Sequence, residues 1–330
     1  MVSPTVISTF AGCGGSSLGY QMAGFKELLA VEWDDNAVET FRLNFPDVPV
    51  YHGDIAKLTG AECMGLAGIK PGELDVLDGS PPCQGFSTAG KRKFDDPRNS
   101  LFKEYARLIR ELQPRAFVME NVTGMVKGYM KQAYLTIIAE LRACGYRARG
   151  EVLNAMYFNV PQSRERVIII GVRNDLGIEP SHPKPQTRPV TVREAFGGCK
   201  DMDGKPFPDW LIAAAKEMDA GNFNYQHVLR AFMRHKGTQG SAASFKLLAW
   251  DRHSCTLAKS WIAAAGVGHP NRKRYVSVGE LKRLASFPDK FQTTGKFDQQ
   301  LARIGNSVPP NMMKAIANHI KINILSVNYG

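Results

Sequence analysis

The apolar positions in the first half of the chain fall into short runs that alternate with amphipathic stretches. Thr5-Val6-Ile7-Ser8-Thr9-Phe10 predicts a first strand that ends in glycines, and Ser17 to Ala23 predicts the helix after it. Leu28 to Glu32 predicts a second strand, Asn36 to Phe45 a second helix, and Val50-Tyr51-His52 a further short run. Asp75-Val76-Leu77-Asp78 leads a strand into a cysteine-bearing loop, and Leu101 to Leu112 has helical spacing. Ala116 to Glu120 is a short apolar strand ending in an acid, and Arg166 to Val172 predicts another buried strand. Strands alternating with helices in this way predict an α/β fold built on a doubly wound, mostly parallel sheet. Such sheets bind ligands beyond the carboxyl ends of their strands. Glu32, Cys83 and Glu120 all fall just past strand ends, so they are expected to line one crevice.

The rhythm stops at Pro180-Ser181-His182-Pro183-Lys184-Pro185, which reads as a linker. From there to Arg274 the pattern is irregular and rich in glycine, histidine and basic residues, as expected of a smaller, mainly β domain. Helical spacing returns from Ser277 to Leu284 and again after Pro309-Pro310, where proline suits a helix start.

Composition narrows the class. A chain of 330 residues buries a large core. No apolar run approaches the ~18–20 residues that cross a bilayer. The N-terminus lacks a basic stretch followed by an apolar one, so a cytoplasmic location is expected. The six cysteines are scattered with no CxxC pair, which argues against structural zinc and for reduced thiols. No metal is expected. The net charge of +11 favours a polyanionic partner. Between Ala220 and Arg274, nine Lys and Arg face the single acid Asp251.

Three motifs carry chemistry: Gly79-Ser80-Pro81-Pro82-Cys83-Gln84-Gly85-Phe86-Ser87, Glu120-Asn121-Val122 and Gln162-Ser163-Arg164-Glu165-Arg166. They place a thiol, a carboxylate and a guanidinium after successive strands. A thiolate adding to carbon 6 of cytosine makes carbon 5 enamine-like and able to accept a methyl group. The acid serves ring nitrogen 3, and the cation meets charge on the exocyclic oxygen. Earlier in the chain, Phe10-Ala11-Gly12-Cys13-Gly14-Gly15 forms a glycine loop before a helix, where backbone can approach a ligand closely. Glu32 is placed to accept ribose hydroxyls, Trp33 offers a ring face to a purine, and Asp54-Ile55 can meet its amine and other face. Neither a phosphate-gripping G-x-x-x-x-G-K-[ST] nor a full GxGxxG is present, so a nucleoside cofactor without a phosphate chain fits best.

From Phe10 to Gly305-Asn306-Ser307-Val308-Pro309 the chain resembles the DNA (cytosine-5) methyltransferase family. That resemblance implies S-adenosylmethionine as cofactor, held by Phe10, Gly12, Gly14, Glu32, Trp33, Asp54, Ile55, Pro82, Leu101, Asn306 and Ser307. It implies Cys83 as nucleophile, Glu120 as acid, Arg164 as clamp on the oxygen and Asn121 as the amide orienting the cysteine loop. Arg166 and Gln162 would hold the site together. Duplex DNA is the implied partner. Gln84, Ser87, Lys91 and Arg98 would lie near the target, and Arg230, Arg234, Lys236, Arg252 and Thr256 would contact bases or phosphates. The expected organisation is a catalytic domain over 1–184 and 304–330, a target-recognition domain over 185–274 and a hinge over 275–303. A monomer is expected, with a cognate restriction endonuclease acting separately. Ser277, Gly279 and Ala285 depart from the commoner Thr, a larger residue and Gln, all in a structural segment. Rival readings are a tRNA cytosine-5 methyltransferase of the same fold, a non-catalytic DNA-binding relative, and a nicotinamide or flavin oxidoreductase.

Overall fold

A computed structural model describes residues 3–82, 100–127, 130–200, 203–223, 229–230, 233–235, 245–260 and 266–326. The chain divides into two compact units, Met1–Asn154 with Glu165–Lys184 and Pro310–Gly330, and Ala155–Arg164 with Pro185–Pro309.

In the first unit the elements run β1 (Thr5–Thr9), α1 (Gly15–Met22), β2 (Lys26–Glu32), α2 (Asp35–Asn44), β3 (Val50–His52), α3 (Gly60–Ala67) and β4 (Val76–Gly79). They continue with α4 (Ser100–Leu112), β5 (Ala116–Val122), α5 (Lys131–Ala143), β6 (Tyr146–Asn154) and β7 (Glu165–Arg173). One seven-stranded sheet has the order β3-β2-β1-β4-β5-β7-β6. Its first five strands are parallel, and β7 runs antiparallel to both β5 and β6. Side chains alternate across the sheet. Ile7, Leu29, Leu77, Phe117 and Ile169 turn to one face and pack with Leu108, Ile109 and Leu112 of α4 and Ile137 and Leu141 of α5. Buried apolar area of this kind stabilises at roughly 25 cal/mol per Å². Buried Tyr105 ties β4 to β5, its hydroxyl shared by the carbonyls of Leu77 at 3.0 Å and Val118 at 2.9 Å.

On the other face lies α1, and the C-terminal helix α10 (Pro310–Ile320) packs against it. Gly19 makes that approach possible: a Cβ there would lie 2.5 Å from Met313 Cβ and 2.7 Å from Pro310 O.

The second unit holds α6 (Val192–Phe196), α7 (Asp209–Glu217), β8 (Phe245–Leu247), β9 (Gly266–Gly268), α8 (Val278–Leu284) and α9 (Phe297–Asn306). Among the described residues, strand in this unit is limited to the two three-residue elements β8 and β9, which pair in parallel. Phe207, Leu211, Ala214, Phe245 and Leu247 form its core, with α7 supplying as much as the strands. Buried Glu280 closes a capping box with Ser277 at the start of α8 and accepts both Arg274 Nη atoms, at 2.7 and 2.8 Å. Residues 275–309, read from sequence as a hinge and a return to the first domain, lie inside this unit. The first unit resumes only at Pro310. Among the described residues no helix is long and apolar enough to cross a membrane, and no cluster of His, Cys, Asp or Glu is placed to hold a metal ion.

Candidate active site

The strands of the first unit deliver their ends to one side of the sheet. Register pairs Gly79 with Met119, so Glu120 stands one residue past the last paired position of β4, where the cysteine loop departs. The loop is tied down at its root: Asn121 Nδ2 donates to Pro81 O at 3.0 Å, and Asn121 Oδ1 accepts the Val122 N–H at 2.9 Å. Asn121 and Pro81 are both buried. Cys83, Gln84, Ser87, Lys91, Arg98 and Lys236 lie outside the described residues.

Glu120 and Arg166 face each other from β5 and β7, whose register sets Glu120 against Ile168 and Val122 against Arg166. Arg166 Nε lies 2.7 Å from Glu120 Oε1, with 14% and 11% of the two side chains exposed. A carboxylate held so close in a largely dry setting is fixed in direction, and its second oxygen is the one left to meet a base.

Arg164 lies at the end of the short segment Ala155–Arg164. It is 3% exposed and belongs to the second unit, where its Nη1 donates to Leu257 O at 3.3 Å and its Nη2 to Asn306 O at 3.5 Å. Its neighbours behave alike. Gln162 Nε2 donates to Leu284 O at 3.3 Å, Gln162 Oε1 accepts the Leu257 N–H at 3.0 Å, and exposed Thr256 donates through Oγ1 to Ser163 O at 2.6 Å. Gln162 and Arg164 thus brace the segment Ser254–Leu257 and the end of α9. Asn306 is exposed, and Ser307 Oγ donates to Arg303 O at 2.7 Å.

On the cofactor side, Phe10, Gly12 and Gly14 have φ of 54°, 57° and 95°. These left-handed values turn the chain sharply between β1 and α1. Glu32 is 8% exposed and organises the turn: Oε2 accepts the Gly12 N–H at 2.7 Å, and Oε1 accepts those of Trp33 at 2.8 Å and Asp34 at 2.9 Å. A carboxylate has about four acceptor directions, and these bonds take three, leaving one at Oε2 for a hydroxyl. The Trp33 ring is 76% exposed and free to stack. Asp54 is exposed, with Oδ1 capping the 3-10 turn Ile55–Lys57 through Ala56 N–H at 3.0 Å. Ile55 is 4% exposed and packs into the core, so little of it faces a ligand. Leu101 is partly buried at the start of α4, and Pro82 is exposed. These residues fit a nucleoside: a hydroxyl acceptor, an open ring face and a backbone turn with no side chain at its closest point.

Of the other thiols, burial pushes Cys63 up to about 12 and Cys255 up to about 11, so both stay protonated and unreactive near neutrality.

In the second unit, Arg230, Arg234 and Arg252 are exposed, although Arg234 Nη2 is paired with Glu217 at 2.6 Å. Arg252 lines a cleft of about 560 Å³ with Arg193, Asp219, Trp250, Asp251 and Arg272. Arg193 sits over the Trp250 ring, 5.3 Å from its centroid. The sequence reading missed Arg193 and Trp250, because it followed the basic stretch from residue 220 onward. The only signal was the isolated aromatic beside Asp251-Arg252.

The family model for C-5 cytosine-specific DNA methylases matches residues 4–322. Type II methyltransferase M1.HphI of Haemophilus parahaemolyticus is 36% identical, across 97% of this chain and 87% of its own. Type II methyltransferase M.XorII of Xanthomonas oryzae pv. oryzae is 33% identical, across 97% and 85%. A crystal structure described as a DNA modification methyltransferase encoded within an Escherichia coli prophage superposes with a TM-score of 0.75. Identity there is 26%, and the match covers 98% of this chain and 100% of the other. The match runs through both units and takes in all three chemistry-bearing motifs, so the chain belongs to the C-5 cytosine-specific DNA methylase family.

Proposed function

We propose that this chain methylates carbon 5 of a flipped-out cytosine within a specific duplex DNA sequence, using Cys83, Glu120 and Arg166 at the reacting base. Enzymes of its family are S-adenosylmethionine-dependent and work through a covalent intermediate on an extruded base. The observation that carries the residue assignment is the largely sheltered Glu120–Arg166 pair beside the Asn121–Pro81 bond that roots the cysteine loop. Cys83 supplies the thiolate for carbon 6. Glu120, sharing a proton with the base, hydrogen-bonds ring nitrogen 3, and Arg166 both aims Glu120 and reaches the exocyclic oxygen. Arg164, which donates through Nη1 and Nη2 to carbonyls of the second unit, is assigned to bracing. When the methyl group has been accepted, loss of the carbon 5 proton expels the thiolate and restores the aromatic ring.

S-adenosylmethionine supplies the methyl group. Glu32 Oε2 would take a ribose hydroxyl, Trp33 the purine face, Asp54 its amine, and the turn at Gly12 and Gly14 the amino-acid end. The cleft at Arg252 and the exposed Arg230 suit the reading of target sequence by residues 185–274, where base-edge contacts give ~1–3 kcal/mol each. A monomer acting in the cytoplasm, alongside a separate endonuclease of the same specificity, completes the proposal. Incubation with labelled S-adenosylmethionine and equal amounts of duplex DNA and tRNA tests the substrate. Label is expected in DNA at a defined motif, and label in tRNA alone would overturn the assignment.

A further inference from the structure

Asp78, one residue before β4 ends, is an acid in an unexpected place. It is 3% exposed. Strand alternation turns its side chain to the face covered by α1, where Tyr20 Oη donates to Asp78 Oδ1 at 3.3 Å and Ser16 also bonds the carboxyl. Its backbone carbonyl accepts Thr9 Oγ1 at 2.9 Å, and Ser8, its register partner on β1, is fully buried. Among the described residues no cation pairs with it. The titratable groups that act on it are Glu27 from β2, Glu120 from β5, Tyr20 from α1 and Tyr105 from α4.

Burial without a cation favours the neutral acid, and nearby carboxylates favour it further. Burial first, then the Glu27 charge, pushes Asp78 up to about 8. Glu27, which accepts Ser17 Oγ at 2.8 Å, is pushed up to about 7 by burial. At neutral pH Asp78 therefore keeps its proton, although the hydroxyls of Tyr20 and Ser16 that bond it from α1 pull the other way.

The two elements it joins serve different parts of the reaction. Helix α1 rises from the Gly12–Gly14 turn, and β4 runs into the cysteine loop. We propose that Asp78 is a positioning residue that keys α1 to β4 and so holds the cofactor turn in its binding geometry. Once ionised, it must draw in water or part the helix from the sheet, because a lone buried anion is costly. The inference rests on reading the Gly12–Gly14 turn as the S-adenosylmethionine site.

Calorimetric titration of the full chain with S-adenosylhomocysteine, without DNA, between pH 6.5 and 9.5 tests it. Wild-type affinity is expected to fall by up to about tenfold per pH unit above about 8, the limit set by proton linkage. Asp78→Asn, neutral at every pH, should lose that fall. The ligand's own amino group titrates equally against both proteins, so their difference reports Asp78. Glu27→Gln should keep the fall and move it to lower pH, since a charge that raises Asp78 has gone. This second variant carries the test if Asp78→Asn fails to fold. Matching profiles for wild type and Asp78→Asn, or an unmoved fall in Glu27→Gln, overturn the proposal alone. No binding at any pH overturns the cofactor reading and this proposal with it.

Discussion

Glu120 and Arg166 meet at 2.7 Å with little of either side chain exposed, so deleting one charge strands the other in a poorly solvated setting. Arg166→Ala is expected to destabilise the protein by about 3 kcal/mol and to lower kcat by about 10²–10³. Arg166→Lys should recover stability more than turnover, because an ammonium lacks the planar fork. Urea melts and methylation kinetics on the same preparations check both, and an Arg166→Ala protein with wild-type turnover would remove Arg166 from the site. Asp78 makes a second prediction at this scale. Its folded pKa is raised from an ordinary 3.8 to about 8, so the stability it contributes is complete below about 4 and is lost as pH climbs through 8. Within that window each pH unit costs up to about 1.4 kcal/mol. Glu27 has the same sign over a window ending near 7. Asp78→Asn should therefore melt higher than wild type at pH 9 and close to it at pH 4; parallel Tm-against-pH curves would contradict the burial argument.

At the scale of elements, the turn between β1 and α1 is the most constrained. Gly14 has φ of 95°, and a Cβ there would meet Phe45 Cε2 at 2.3 Å. Gly14→Ala is expected to cost about 1–3 kcal/mol through strain and overpacking. It should also weaken S-adenosylhomocysteine binding, as calorimetry would show, and unaltered affinity would place the ligand elsewhere. This turn was legible in the sequence because its glycines interrupt an apolar rhythm. So were β1, β2, α2, α4, β5 and β7, whose runs are short and clearly bounded. The direction of β7 was not: Val167 to Ile170 are buried on both faces, and such a run reads the same whether parallel or antiparallel. Strand β6 escaped notice because it is an edge strand interleaved with Arg149 and Glu151. Helix α5 was blurred by Leu135, 48% exposed beside the buried stripe of Ile137, Ile138 and Leu141. The placing of Glu32, Glu120 and Asn121 at strand ends was readable, but their hydrogen-bond partners were not. The sequence made Arg164 the clamp and gave Arg166 a holding role; that Arg166 faces Glu120 follows from the β5–β7 register, which spacing does not show.

For the whole molecule, the net charge of +11 and the basic stretch before Arg274 bear on binding more than on folding. Affinity for duplex DNA should fall by about 10³ between 50 and 200 mM salt if roughly six phosphates are neutralised. Fluorescence anisotropy across that range checks this, and a flat response would exclude the basic surface as the DNA contact. The cleft with Arg193, Asp219, Asp251 and Arg252 carries both signs of charge, which suits reading base edges more than tracking phosphates.

The claim on which all of this depends is that Cys83 bonds to the base it modifies. Duplex DNA in which 5-fluorocytosine replaces the target base cannot release the thiolate once methylated, because fluorine occupies the position of the departing proton. Incubated with S-adenosylmethionine, the wild-type protein should form a complex with this DNA that survives denaturing electrophoresis, and Cys83→Ser should form none. Methylation of ordinary DNA by Cys83→Ser, or an active wild-type protein that leaves no adduct on the fluorinated strand, would contradict the account.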